Sequence, residues 1–253
     1  MHNRLTDELA VCGLNAVKAL GKVHPERVNR FFLREDRLSL FSPLCKVLAE
    51  RKRPYKLCED EELEKICKSR YHQGVVAMIY APQAEGVLPE DLSAWALEGK
   101  TALLLCDIEN DHNLGALIRC AAFFDASPLI LTPGSSALTT SACRVAEGGV
   151  EHVEFRSVRS AGIFLQSASK LLVTIGADPR ARIRISDLPR LIKDRFPRGR
   201  AGVILAMGNE ETGLSPEIKE QCTLLARIPG TGAIDSLNVA QAAALFLQEL
   251  YER

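Results

Sequence analysis

Two near-continuous apolar runs close to the C-terminus set the terms for the whole chain: Ala201 to Met207, and the shorter Leu224 to Ile228. Runs of this kind are what a strand buried on both faces of a parallel sheet requires. Each ends in a Gly-rich turn and then a helical pattern. The turns carry polar groups that a core would not tolerate unpaired: Asn209 and Glu210 in the first, Asp235, Ser236 and Asn238 in the second. Ligands of open α/β sheets gather at the carboxyl ends of strands. Two such loops therefore predict one site built from both.

Upstream, strands and helices alternate. Expected strands cover Glu8 to Cys12, Arg27 to Leu33, Pro54 to Leu57 and Val75 to Tyr80. Expected helices cover Ala16 to Leu20, capped by Asn15 and closed by Gly21, then Phe41 to Lys52, and Asp60 to Lys68 with Asp60 as its cap. A single helix from Thr6 to Leu20 also fits the first pattern, but Gly13 favours the split. From Thr101 the alternation is regular: strand Ala102 to Cys106, helix Leu114 to Phe124, strand Pro128 to Leu131, helix Thr139 to Glu147. Strand Val150 to Phe155, helix Ala161 to Lys170 and strand Leu171 to Ala177 follow. The reading is an α/β chain with a parallel sheet covered on both faces. Residues 81 to 100 hold two prolines and two glycines and read as a connector. The expected division is a small α/β domain over residues 1–84, a linker over 85–99 and a larger domain over 100–253.

Composition excludes several classes. Hydrophobic content of 47% and charged content of 25% are ordinary for a globular protein. No apolar run approaches the ~20 residues needed to span a bilayer, and the N-terminus lacks the pattern of a signal peptide, so no membrane role is expected. The eight cysteines form no CxxC pair and sit in apolar patterns. They read as buried, reduced thiols of a cytoplasmic protein, with no metal site. The 32 basic residues balance the 32 acidic ones, but unevenly along the chain. Residues 180–200 hold Arg180, Arg182, Arg184, Arg190, Lys193, Arg195, Arg198 and Arg200 against Asp187 and Asp194. Shorter basic runs are Arg27, Arg30, Arg34 and Arg37, and Arg51, Lys52, Arg53 and Lys56. Each alone fits a solvated face; together they point to a polyanion.

A third polar stretch follows the strand ending at Cys106. Asn113 suits a helix cap, and Gly115 allows close backbone approach. Arg119 stands in an otherwise apolar helix, which is costly unless the guanidinium is paired or aimed at a ligand.

Taken together, the three stretches resemble the motifs of the SpoU/TrmH family of RNA ribose methyltransferases, within the SPOUT superfamily. The first motif corresponds to Asn113, Gly115 and Arg119, the second to Gly208, Glu210 and Gly213. The third corresponds to Ile228 and Pro229 followed by Ser236, Leu237, Asn238 and Val239. The order and spacing match over about residues 100 to 253. The N-terminal part is similar to the small substrate-binding domain that many members carry. The chain departs from the family pattern at Asn110 and Asp111, at Glu211 (usually glycine) and at Gly230 (usually methionine).

The resemblance implies a deep trefoil knot, S-adenosylmethionine as cofactor, an RNA substrate (transfer or ribosomal) and a homodimer. Carried over by position, it places cofactor contacts at Met207, Gly208, Ile228, Pro229 and Leu237. The reaction would be methyl transfer to a ribose 2′-OH. Holding that oxygen in line and stabilising the charge developed as its proton leaves are the chain's tasks. Arg119 suits an electrostatic stabiliser better than a base because it stays protonated, though the resemblance permits either. Asn113, Ser236 and Asn238 can position the hydroxyl, Glu210 can orient Arg119 or accept a proton, and His112 is an alternative base. A dinucleotide oxidoreductase is disfavoured, since GTGAID lacks a third glycine and lies so near the terminus that no acidic residue about 20 positions on can close a strand. GNEETG is not a P-loop. An RNA-binding protein of the same fold that has lost turnover is the competing reading.

Overall fold

The computed structural model describes residues 8–135, 138–197 and 199–251. Arg198 of the basic segment, Thr6 and the outermost residues of the chain lie outside the described residues. In chain order the elements begin with β1 (Glu8–Cys12), α1 (Leu14–Val23), β2 (Val28–Leu33), α2 (Leu38–Glu50), β3 (Tyr55–Leu57), α3 (Asp60–Cys67) and β4 (Val75–Tyr80). There follow β5 (Glu85–Gly86), α4 (Pro89–Glu98), β6 (Thr101–Leu105), α5 (Asp111–Phe123), β7 (Ala126–Leu131) and α6 (Thr140–Val145). The last are β8 (Phe155–Ser157), α7 (Ala161–Ala168), β9 (Val173–Ala177), β10 (Ile183–Arg184), α8 (Leu188–Arg195), β11 (Val203–Met207), α9 (Pro216–Gln221), β12 (Leu224–Arg227) and α10 (Val239–Tyr251). They fall into two compact units.

The first unit comprises the described residues through Pro82 and those from 138 to His152. Its sheet runs β1-β4-β2-β3, antiparallel at β1/β4 and β2/β4 and parallel at β2/β3. Gly13, at φ 96°, separates β1 from α1, a conformation that favours glycine. The cap expected at Asn15 is not there. Gly13 occupies the cap position, the Leu14 N–H is satisfied by Gln73 Oε1 at 2.7 Å, and Asn15 donates to Glu147 at 2.6 Å. Gly21 does not close the helix, which runs on to Val23. A Cβ at Gly21 would sit 3.2 Å from Leu44, so this glycine serves close packing of α1 on α2. Glu59 rather than Asp60 stands at the cap position of α3.

The strand expected over Val150 to Phe155 is also replaced. Gly149–His152 forms a 3₁₀ turn and β8 begins only at Phe155. The cause is Gly148, at φ 94°, whose missing side chain lets the backbone meet Ala19; a Cβ there would lie 2.6 Å away. The run Arg27, Arg30, Arg34 and Arg37 is used internally rather than presented to a polyanion. Arg27 pairs with Glu151, Arg30 with Glu8, Arg34 with Asp36 and Asp60, and Arg37 with Asp36. In the neighbouring run Arg53 donates to the carbonyls of Glu26 and Val28, and Lys56 pairs with Glu62.

The second unit comprises Gln83–Ser136 and Val153–Arg253. Its sheet runs β10-β12-β9-β11-β6-β7-β8-β5, and every pairing is parallel. β6 and β11, side by side at the centre, are buried at every position, as their apolar runs require. Residues 85–99 are not a bare connector. β5 pairs with β8, and α4 places Leu92 and Trp95 in the core with Leu104, Phe164, Leu165 and Ile204. The two prolines misled because Pro89 sits in the first turn of α4, where its missing N–H costs nothing. No described helix is long and apolar enough to cross a membrane, and all eight cysteines are free.

Because Trp95 is the single tryptophan of the chain, its fluorescence reports this core directly. Leu92→Ala is expected to destabilise the protein by about 2–5 kcal/mol, measured as a lowered urea midpoint with unchanged slope.

Candidate active site

The carboxyl ends of β6, β11 and β12 carry the three polar stretches. The first is the start of α5. Its cap is Asn110, whose Oδ1 accepts from the N–H groups of His112 at 2.9 Å and Asn113 at 3.2 Å. The cap expected at Asn113 therefore moves three residues upstream. That shift frees the Asn113 side chain for longer-range bonds. Its Nδ2 donates to Glu210 Oε1 at 2.5 Å, and its Oδ1 accepts from Asn238 Nδ2 at 2.8 Å. Three segments far apart in sequence meet at one amide.

The second stretch is the turn after β11. Met207, the last residue of that strand, is buried. A Cβ at Gly208 would lie 2.3 Å from the Gly213 carbonyl carbon and 2.4 Å from Leu214 N, so only glycine lets the turn close on itself. Asn209 holds the turn from inside. Its Oδ1 accepts from Glu211 N at 2.9 Å and Thr212 N at 3.2 Å, its carbonyl from Gly213 N, and its Nδ2 donates to the Asp107 carbonyl at 3.0 Å. The turn thereby presents the Glu210 carboxylate to Asn113. Glu211, where the family usually has glycine, is not at positive φ, so a side chain is tolerated there.

The third stretch runs from Ile228, which is half-buried, through Pro229 to Asn238, all ten of these last residues exposed. Residues 229–237 make no backbone–backbone hydrogen bond among the described residues. Ser236 and Leu237 are among them, and Ser236 makes no side-chain hydrogen bond there. Gly230 stands in open space, with nothing within 4 Å of an added Cβ. Asn238 closes the segment: its Oδ1 accepts from Ala240 N at 3.0 Å, capping α10.

Arg119 is not brought to this network. It lies six residues beyond Asn113 on α5, about 9 Å along the axis and roughly 120° around it. The guanidinium is exposed and forms no ion pair or hydrogen bond among the described residues, which removes the structural ion pair as its explanation. Phe123, one turn on and on the same face, is 80% exposed. The His112 side chain is likewise exposed and unbonded. Asp107 is the positioning residue that sequence reading passed over, while Asn209, singled out there as a polar group of the turn, holds the turn rather than facing a ligand. For Asp107 the signal lay in a polar residue directly following a buried strand end.

With this geometry in hand, the comparisons with known proteins are specific. The SpoU rRNA Methylase family matches residues 100–248. A second family, RNA 2′-O ribose methyltransferase substrate binding, matches residues 10–84. The chain belongs to the SpoU rRNA methylase family. It is 33% identical over 247 residues to the 23S rRNA (guanosine-2′-O-)-methyltransferase RlmB of Acinetobacter baylyi, covering 94% of each chain. It is 30% identical to RlmB of Pseudomonas aeruginosa, covering 95% of this chain and 94% of the relative. In fold it resembles the SpoU methyltransferase AviRb of Streptomyces viridochromogenes in complex with AdoMet. The TM-score is 0.76 at 20% identity, covering 99% of this chain and 93% of AviRb.

The Asn113–Glu210 contact is open to a swap test. Asn113→Asp faces one carboxylate with another and is expected to cost about 1–3 kcal/mol. Adding Glu210→Gln restores a donor opposite an acceptor, and the urea midpoint of the double variant should recover most of the loss.

Proposed function

We propose that this chain transfers the methyl group of S-adenosylmethionine to a ribose 2′-OH of structured RNA, ribosomal RNA in the first instance. The observation that carries the reading is the junction Glu210–Asn113–Asn238 beside a segment that makes no backbone–backbone hydrogen bond among the described residues. The family match over the larger unit and the RlmB relatives support the reaction and the choice of ribosomal RNA. The substrate-binding match over residues 10–84 supports RNA capture by the first unit, and the reaction is assigned to the larger unit, which does not include residues 138–152. A cytoplasmic location is part of the same proposal.

The residues fit the cofactor. An adenosine needs neighbouring backbone donors and acceptors that are not already paired. The run at 229–237 offers them, with Ile228, Pro229 and Leu237 for apolar contact and Gly208 and Met207 forming the opposite wall. When bound, S-adenosylmethionine supplies an activated methyl on a sulfonium. The chain must then align the ribose oxygen and manage its proton. Asn113 and Asn238 hold each other in fixed rotamers, so their amides are pre-organised. Glu210 spends one carboxylate oxygen on Asn113, leaving the other to accept from a hydroxyl or a guanidinium. Ser236 is exposed beside Asn238 and can bond the same hydroxyl.

Arg119 supplies positive charge, and a homodimer is part of the proposal because it explains where. Phe123, Leu245 and Tyr251 expose apolar surface on α5 and α10, and Phe124 stacks on Tyr251. Burying that face against a second copy places Arg119 at the seam, in reach of the partner's site rather than its own. The trefoil knot belongs to the same proposal. It is supported by the order of strands, in which the chain passes from β9 to β11 on one side and to β12 on the other. The competing reading, a binder without turnover, finds no support. The junction is intact, and both departures, Glu211 and Gly230, are structurally tolerated.

Arg119→Ala is expected to lower methyl transfer to ribosomal RNA by about 10²–10³-fold or more, with cofactor affinity by titration calorimetry unchanged. Undiminished turnover would remove Arg119 from the mechanism. Gly208→Ala should act oppositely, weakening cofactor binding more than tenfold by displacing the turn.

A further inference from the structure

The basic segment over residues 180–200 differs from the paired arginines of the first unit. Arg190 pairs with Asp194 at 3.8 Å on the exposed face of α8. Arg182, Arg184, Lys193, Arg195 and Arg200 form no ion pair among the described residues. A cavity of about 510 Å³ opens at the end of α8, with Arg190, Lys193 and Arg200 in its lining and no acidic side chain. The remainder of the wall is apolar: Pro189, Ile192, Phe196, Pro197 and Ala201, with Gly199. Phe196 follows the last turn of α8 and is half-buried, so its ring is held in place yet reachable.

This cavity is separate from the candidate active site. Ala201 precedes β11, whereas Gly208 follows it. At about 3.3 Å per residue the two ends lie some 20 Å apart. Cations alone would serve any anion, and apolar walls alone would serve any hydrophobe. A cavity that combines a half-buried aromatic ring, proline walls and three cations, of which Lys193 and Arg200 form no ion pair among the described residues, fits a nucleotide, with its base against Phe196 and its phosphates on the cations.

We propose that the cavity of Pro189, Arg190, Lys193, Phe196 and Arg200 seats an unpaired nucleotide of the RNA substrate, anchoring the RNA about 20 Å from the site of methyl transfer. The proposal rests on RNA being the substrate. It goes beyond that reading by giving the RNA a second, base-binding foothold on the larger unit. A span of 20 Å corresponds to roughly six base steps of a helix, so a hairpin or internal loop could fill both sites at once.

The test uses the full chain and a short fluorescein-labelled single-stranded RNA of mixed sequence, followed by fluorescence anisotropy across a salt series. Phe196→Leu keeps apolar volume and removes the stacking ring; it should weaken binding about 5- to 150-fold. Lys193→Gln with Arg200→Gln should flatten the slope of log affinity against log salt by about 1.4. Thermal midpoint and S-adenosylmethionine affinity should match the unaltered protein in both variants. Unchanged RNA affinity in Phe196→Leu overturns the proposal. So does loss confined to the charge variant, which would mean a phosphate patch without a base site. Turnover separates this from the catalytic reading: an unaltered protein that binds this RNA through Phe196 yet transfers no methyl group to ribosomal RNA contradicts the activity and leaves the pocket standing.

Discussion

One amide carries the architecture of the site. Asn113 donates to Glu210 and accepts from Asn238, so the loops after β6, β11 and β12 are held at a common point. Either bond alone contributes only about 0.5–1.5 kcal/mol, more where a carboxylate accepts. Their worth is positional. A carboxylate, an amide and a capped helix start are fixed relative to one another before any ligand arrives, which is the condition for stabilising a transition state without reorganisation.

That junction depends in turn on the buried centre of the sheet. β6 and β11 pair in register from Thr101/Val203 to Leu105/Met207, and their fully buried runs set where the loops emerge. The turn at 208–213 then closes tightly enough to exclude any side chain at Gly208. The segment 229–237 does the reverse, staying exposed and making no backbone–backbone hydrogen bond among the described residues. A tightly closed, carboxylate-bearing turn is tied through Asn113 to the end of a loop with bonding capacity in reserve, and the proposed ligand site rests on this contrast.

Much of this was legible in the chain. The run Ala201 to Met207 predicted a central, fully buried strand, and Gly13 predicted the break between β1 and α1. The run Leu224 to Ile228 was read as equally buried, but it forms β12, one strand from the sheet edge and buried only at Ala226. What failed did so for local physical reasons. Asn113 looked like a cap because the sequence cannot show that the helix starts three residues earlier, with Asn110 accepting from the N–H groups of His112 and Asn113. Residues 85–99 looked like a linker because Pro89 and the glycines are indistinguishable from turn residues until α4 is seen to bury Trp95. After Gly148, the alternating Val150 to Phe155 looked like a strand where a 3₁₀ turn forms. The arginines at 27–37 looked like a polyanion patch, and their acidic partners, as distant as Glu8, Asp60 and Glu151, appear only once the chain is folded. Arg119 was singled out as costly unless paired or aimed at a ligand, but the sequence could not show that its position on α5 is exposed and away from the junction of Asn113, Glu210 and Asn238.

The most direct test of the account is the chemical position of the transferred methyl group. Ribosomal RNA from cells lacking the protein would be incubated with the purified chain and S-adenosylmethionine carrying an isotopically labelled methyl, digested to nucleosides and resolved by mass spectrometry. The account predicts label on the ribose of a 2′-O-methylnucleoside, with loss of that label in Arg119→Ala. Label on a base, or no incorporation into any nucleoside, would contradict it.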